Sequence, residues 1–254
     1  MKRQDSMRYF FLIKNIKNWW LYLLHKFGLV KTDPLLFRAG RGVLVEVPQR
    51  LLHTFKEIFM DECYMHGLTN RIPACPVCID IGANAGYFSL YAASRFANAR
   101  IFAYEPIQSN FEQLMRNINL NKNSKIIAFQ KAVAGSSGET IMTFDEMTGF
   151  STTAHIVTES NPARTDNLIK VDCVTIKDIF DENQLDTCDF LKMDCEQSEN
   201  DIIFNCPVEY LARIKLLAIE MHDDAELLKN FLHDHGFVTY ETKKALGMLY
   251  AWKV

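Results

Sequence analysis

At "CIDIGANAGYF", Cys78 to Phe88, an apolar run stops on an acid, and two glycines four apart follow, Gly82 and Gly86, with Asn84 between them. Glycine lets a chain leave a buried strand in a tight turn and lets another backbone come close. The turn delivers the start of a helix, whose free N–H groups favour an anionic or polar group. The same strand-then-helix rhythm continues downstream. "VCIDI" reads as a buried strand and "GYFSLYAASRFA" as the helix after it. "RIFAYEP" is a second strand stopped by Pro106, and "SNFEQLMRNINLN" a second helix with Ser109 as its N-cap. "KIIAFQKAV", "TCDFLKMD" and "IKLLAIEMH" follow as third, fourth and fifth strands. "DAELLKNFLHDHGF" is a helix closed by Gly236, and "FVTYET" and "GMLYAWKV" pair as the last two, antiparallel strands. Alternating βα units predict an α/β fold with a mostly parallel, seven-stranded sheet wrapped by helices. Residues 135–187 break the alternation; "GETIMTF" and "LIKVDCV" read as strands of an insertion, with "GFSTT" looped between them.

Upstream, Ile13, Ile16, Trp20, Leu24 and Phe27 recur at steps of three and four, which predicts one amphipathic helix stopped near Gly28. Its apolar face is expected to cover the protein's own core. The alternative is an interfacial helix over residues 9–27, with tryptophans at headgroup depth on a membrane. An extended piece, "VLVEV", ends at Pro48. "RLLHTFKEIFMDECY" then puts Leu51, Leu52, Phe55, Ile58 and Phe59 on one face of a second helix. This divides the chain into an N-terminal helical extension, residues 1–70, and a main domain, residues 71–254.

The acid inside the glycine turn narrows the ligand. A dinucleotide fold usually reads GxGxxG, whereas here the order is Asp-x-Gly-x-Asn-x-Gly. Asp80 repels a pyrophosphate and suits a cationic amine or sulfonium. Glu105 ends the next strand 23 residues beyond Gly82, close to the ~20-residue spacing at which an acid grips a ribose diol. A ribose, positive charge and no phosphate together describe S-adenosylmethionine.

On these residues the chain resembles the FkbM-type S-adenosylmethionine-dependent methyltransferases. The matching pieces are "TFKEIF", "VCIDIGANAGYFSL", "FAYEPIQSNFEQLMRNINLN", "DFLKMDCEQSE", "AIEMH" and "GF". The resemblance implies a Rossmann-like class I methyltransferase fold. It maps the family's first motif onto Asp80, Gly82, Asn84 and Gly86, and the ribose-binding acid onto Glu105. Relatives O-methylate sugar or polyketide hydroxyls, so it also implies a hydroxyl acceptor on a glycan or small natural product. The chain departs from the family at Gln197, where a glycine is usual. An ordinary helical turn is expected there, with the Gln197 side chain projecting toward the acceptor.

In the strand order expected for this fold, strands one and four flank the ligand crevice. If strand four stays extended, Lys192, Asp194 and Glu196 share one side, and Glu220 and His222 finish the neighbouring strand with the same period. Asp194, Glu196, Glu220 and His222 thus converge. An alcohol acceptor needs a base or a metal. His222 is the expected base, because its ordinary pKa lies nearest neutrality. Asp194 and Glu196 are the expected Mg²⁺ ligands if a metal is used. Lys192 and Glu199 read as an ion pair and a helix-start acid.

Other classes fit less well. There are 28 basic and 31 acidic residues, so no basic footprint favours nucleic acid. The fourth strand also lacks the Asn/Asp-Pro-Pro-aromatic ending of base N-methyltransferases. An RNA or protein methyltransferase is hinted at only by "NINLN", and a non-catalytic S-adenosylmethionine-binding subunit only by Gln197. Seven cysteines in mostly apolar runs are expected to be reduced, which with no spanning segment or secretory signal points to the cytoplasm, or to the inner membrane face if residues 9–27 dock there. The Cys75–Cys78 pair has no second pair to complete a zinc site.

Overall fold

The main sheet is built from β1 (Val77–Ile81), β2 (Arg100–Tyr104), β3 (Lys125–Phe129), β4 (Phe190–Met193), β5 (Leu216–Met221), β6 (Phe237–Glu241) and β7 (Gly247–Lys253). These come from a computed structural model that describes residues 3–65, 67–143, 155–157, 168–222, 224–242 and 247–253. The strands lie in the order β6-β7-β5-β4-β1-β2-β3. Neighbours from β5 to β3 are parallel, while β7 runs antiparallel to both β5 and β6. Strand order reverses between β1 and β4, so a crevice opens at their carboxyl ends. Side chains alternate across the sheet. Ile79, Leu191 and Leu217 join one buried cluster, and Cys78, Phe190 and Ala218 the other.

The "KIIAFQKAV" segment divides between two sheets. Lys125–Phe129 stays in the main sheet, and Ala132–Val133 pairs with Cys173–Val174 in a second one. Gly138–Thr143 and Leu168–Val174, the strands expected of the insertion, pair antiparallel there. The "GFSTT" loop lies outside the described residues.

The helix after β2 begins at Gln108, not after a Ser109 cap. Ile107 takes the N-cap position without a side-chain cap, and the Glu105 carboxylate just before it accepts from the Ile107 backbone amide at 2.9 Å and the Asn110 side-chain amide at 3.3 Å.

At the N-terminus the single expected helix is two, α1 (Arg3–Asn15) and α2 (Trp20–Lys26). The chain breaks because residues 16–18 bond a hairpin formed by Leu35–Arg38 and Leu44–Val47. The Lys17 amide donates to Arg38 O at 2.7 Å, and Asn18 exchanges two hydrogen bonds with Leu36 and Arg38. Of the expected apolar face only Ile16 is buried; Ile13, Trp20, Leu24 and Phe27 are exposed. Phe11, Leu12, Asn15 and Tyr22 face inward instead. Asn15 donates to Phe59 O at 2.9 Å and to Glu62 at 3.0 Å, which ties α1 to α3 (Leu52–Phe59).

A column of aromatic rings joins this N-terminal layer to the main domain. Phe37 stacks on Phe55 at 4.5 Å, Phe55 on Phe59 at 5.0 Å, and Tyr87 meets Phe55 edge-on at 6.3 Å. Tyr87 opens α4 (Tyr87–Arg95), the helix that follows the glycine turn. Phe55 is wholly buried at the centre of this column. Phe55→Ala should therefore cost about 3–5 kcal/mol of unfolding free energy. Urea titration followed by far-UV circular dichroism checks it, and a loss below about 1 kcal/mol would contradict the packing.

Candidate active site

The turn after β1 is held against β2 by backbone. The Gly82 and Ala83 amides both donate to Tyr104 O, at 3.0 and 2.9 Å. Gly82 (φ +70°) and Gly86 (φ +81°) are left-handed, as is Asn84 (φ +49°), a residue type that tolerates this region. A Cβ at Gly82 would collide with the Asp194 carbonyl oxygen, and one at Gly86 with the Leu114 side chain. The close approach that Gly82 permits is thus made by the backbone of Asp194, just past the end of β4.

Beneath the turn lies a buried cation. Lys192 Nζ donates to Gly82 O at 2.6 Å and Ile81 O at 3.1 Å, and sits 3.4 Å from Asp80 and 3.6 Å from Asp194. Burial favours the neutral amine, but Asp80 and Asp194 outweigh it and hold the pKa above its ordinary value. Asp80 is fully buried and also accepts from Ser89 at 2.6 Å.

A cleft of about 390 Å³ opens above this loop, within the range of small-molecule sites. Gly82, Asn84, Glu105, Asp194, Glu196 and Glu220 line it. Asp80, Gly86 and His222 do not. Asp80 braces the turn through Lys192 and Ser89, behind the cleft lining. Glu105 does face the cleft. Its carboxylate accepts from the Asn84 and Ile107 amides and from Asn110. A carboxylate has about four acceptor positions, so one is left for a hydroxyl. Burial pushes Glu105 up to about 7 against these hydrogen bonds.

Across the cleft stands a group that sequence spacing did not reveal. Tyr64, from the segment after α3, places its buried hydroxyl 2.9 Å from Asp194 Oδ2 and 2.9 Å from Glu220 Oε2. A phenol carries one proton, so it satisfies both oxygens only when one carboxyl is protonated and donates back. Burial, then the Asp194 charge, pushes Glu220 up to about 7. Glu57 of α3 also lines the cleft and is raised to about 7, by burial and then by Asp194. Neither Tyr64 nor Glu57 sits at a strand end, so nothing in the βα pattern marked them.

The end of strand four differs from expectation. β4 stops at Met193, and Glu196 (φ +49°) and Gln197 (φ +74°) form a left-handed pair instead of an ordinary helical turn. Lys192 and Asp194 still share a side, but the turn swings Glu196 to His222, 3.4 Å away. The Gln197 side chain does not line the cleft. His222 Nδ1 lies 3.0 Å from Glu199 Oε1. Burial opposes a charged imidazole, but the hydrogen bond and charge of Glu199, then Glu196 and Asp194, prevail and raise its pKa to about 9. That shift favours the charged imidazole at neutral pH, the form with no lone pair to accept a proton. Burial, partly offset by His222, pushes Glu196 up to about 7. Among the described residues, Asp194, Glu220 and His222 form a group of three whose ligand atoms lie close enough to hold a metal.

The strained glutamine makes a prediction. A non-glycine residue in the left-handed region costs about 1–2 kcal/mol. Gln197→Gly should raise stability by about 1 kcal/mol, read as a higher denaturation midpoint with an unchanged slope. An unchanged or lowered midpoint would show that the glutamine conformation is not strained.

Comparison with known proteins bears on this geometry. A family profile described as "Methyltransferase FkbM domain" matches residues 80–239. The chain is 28% identical over 214 residues to "Methyltransferase sdnD" of Sordaria araneosa, covering 72% of this chain and 80% of that one. It is 28% identical over 211 residues to "31-O-demethyl-FK506 methyltransferase FkbM" of Streptomyces tacrolimicus, again covering 72% and 80%. The crystal structure of the methyltransferase FkbM from Methylobacillus flagellatus KT superposes with a TM-score of 0.53 at 14% identity, covering 80% of this chain. This chain spans about half, 54%, of that protein's length. At that identity the likeness concerns the fold, the Rossmann-like class I methyltransferase fold. The sheet order, the glycine turn and the profile match over residues 80–239 agree, and the chain belongs to the FkbM methyltransferase family.

Proposed function

We propose that this methyltransferase uses S-adenosylmethionine to methylate a hydroxyl of a sugar, a glycan or a small natural product, with Glu220 as the proton acceptor. The observation that carries it is the Tyr64 hydroxyl spanning Asp194 and Glu220 at the cleft wall. The printed name of the Streptomyces tacrolimicus relative, a methyltransferase of 31-O-demethyl-FK506, supports an oxygen acceptor.

The residues present fit the cofactor. Glu105 offers a spare acceptor for a ribose hydroxyl, and the Gly82–Asn84 backbone borders the same cleft. Glu57, Glu105, Asp194, Glu196 and Glu220 give that cleft an acidic lining suited to a cation. When bound, S-adenosylmethionine supplies an electrophilic methyl group. The chain's part is to hold the acceptor in line and to receive its proton. Glu220, poised at about 7, is matched to that task near neutral pH. Tyr64 holds the Glu220 oxygen in place and carries a hydrogen bond between it and Asp194. His222, the base expected from sequence, serves instead as a fixed cation between Glu196 and Glu199. Mg²⁺ is the alternative activator. Asp194 and Glu220 would be its oxygen ligands, and it would have to displace the Tyr64 hydroxyl from both.

The cofactor and the base are tested separately. Glu105→Ala should weaken S-adenosylmethionine binding at least tenfold by calorimetry, since a hydrogen bond to a charged group is worth ~1.5–3 kcal/mol. Unchanged affinity would remove the cofactor assignment. For the base, only the ionised carboxylate accepts a proton, so kcat should rise with pH through about 7. Glu220→Gln should lower kcat by roughly 10²–10⁴ and abolish that limb while leaving cofactor affinity near normal. A chelator should leave turnover unchanged; loss of activity restored by added Mg²⁺ would overturn the proton-transfer reading in favour of the metal.

A further inference from the structure

The two N-terminal helices carry a surface that the active site does not use. On α1, Met7, Phe10 and Ile13 form an exposed stripe at steps of three, opposite the buried Phe11, Leu12 and Asn15. On α2, Trp20, Leu24 and Phe27 form a second at steps of four and three, opposite the buried Tyr22. Phe27 is 70% exposed, and Leu29 just after it 72%. Lys26 Nζ lies 2.5 Å from the Tyr9 hydroxyl and 5.2 Å from the Tyr9 ring centre, so the end of α2 packs on α1 and the stripes share one end of the molecule. Single exposed apolar side chains are ordinary, but two stripes side by side mark a contact surface.

Charge says what the contact is with. The first 31 residues hold seven Lys and Arg against one acid, Asp5. The other residues hold 21 basic and 30 acidic side chains. A near-neutral chain is thus a basic, aromatic-rich end on an acidic body. Arg8 and Lys14 are engaged by Asp61 and Glu62, while Lys17 and Lys31 are exposed beside the stripes. An anionic lipid surface would attract this end and repel the rest, which sets orientation as well as affinity. Exposed Trp, Phe and Leu flanked by Lys is the composition of helices that lie in the headgroup boundary. No described helix is long and apolar enough to cross a membrane, so contact would be at the surface.

We propose that α1, α2 and the residues up to Lys31 dock the enzyme on an anionic phospholipid surface, with Phe10, Trp20, Phe27 and Leu29 entering the headgroup boundary and Lys17 and Lys31 facing the lipid phosphates. This does not depend on the identity of the methyl acceptor. The test is co-sedimentation of the full chain with vesicles of phosphatidylcholine alone or mixed with phosphatidylglycerol. The wild-type chain should pellet with the mixed vesicles only, and less at high salt. The triple variant Trp20→Ser, Phe27→Ser, Leu29→Ser alters exposed side chains, so it should keep the wild-type melting temperature yet lose the vesicles. Lys17→Glu with Lys31→Glu should weaken binding at least about tenfold. The proposal is overturned if the wild-type chain stays in the supernatant, or if the triple variant pellets equally. It is also overturned if sedimentation equilibrium shows a dimer that the triple variant converts to monomer without any vesicle binding; the stripes would then join two copies of the chain.

Discussion

The Lys192 ammonium lies at the seam between β1 and β4, directly opposite Asp80 in the strand register. A buried charge is tolerated only when paired and hydrogen-bonded, and Lys192 meets both conditions with two carbonyls of the glycine turn and the carboxylates of Asp80 and Asp194. Removing one partner of such a set typically costs ~3–5 kcal/mol, because the other charge is left buried. The position of the turn, the line of the cleft floor and the placement of Asp194 all follow from this one cation. Gly82 cannot carry a side chain beside this seam, because the Asp194 backbone just past β4 occupies the space.

Above that seam the cleft is lined by carboxylates drawn from several elements. Glu57, Glu105, Glu196 and Glu220 are each pushed up to about 7, with burial as the largest cause. Each therefore holds a proton more tightly in the folded protein than in the unfolded chain. By linkage, their contribution to stability is present at low pH and declines as pH rises through the interval from about 4.5 to about 7. A cationic ligand relieves the repulsion that remains. The N-terminal layer reaches the cleft, since Glu57 and Tyr64 come from it and the aromatic column holds it in place. The elements that flank the cleft come from both ends of the fold.

Some of this was legible along the chain. The strands at Val77, Arg100 and Phe190 were readable because each is a short apolar run closed by an acid, a glycine or a proline, and such runs pack the same way in any doubly wound sheet. Glu105 was readable because its distance from Gly82 reflects one helix and one strand of fixed length. The N-terminal helices were misread for a definite reason. Residues 9–27 are apolar on more than one face, so a period of three to four cannot say which face is buried. The break at residues 16–18 is made by hydrogen bonds to a hairpin about 20 residues away.

The sequence by itself marked the alternating strands and helices, the glycine turn at Gly82 and Gly86, and the acid that closes the second strand, because local sterics and element length control them. Tertiary structure alone decided where each acid stands and what surrounds it. Asp80 was withdrawn behind the loop by Lys192, and Glu196 was turned aside by a left-handed pair that glutamine does not favour. His222 gained its charge from Glu199 and Glu196, and Glu220 its proton from burial beside Asp194 and Tyr64. Ionisation depends on charges and solvent within a few ångströms in space, and the chain order of residues 64, 194 and 220 carries no trace of that distance.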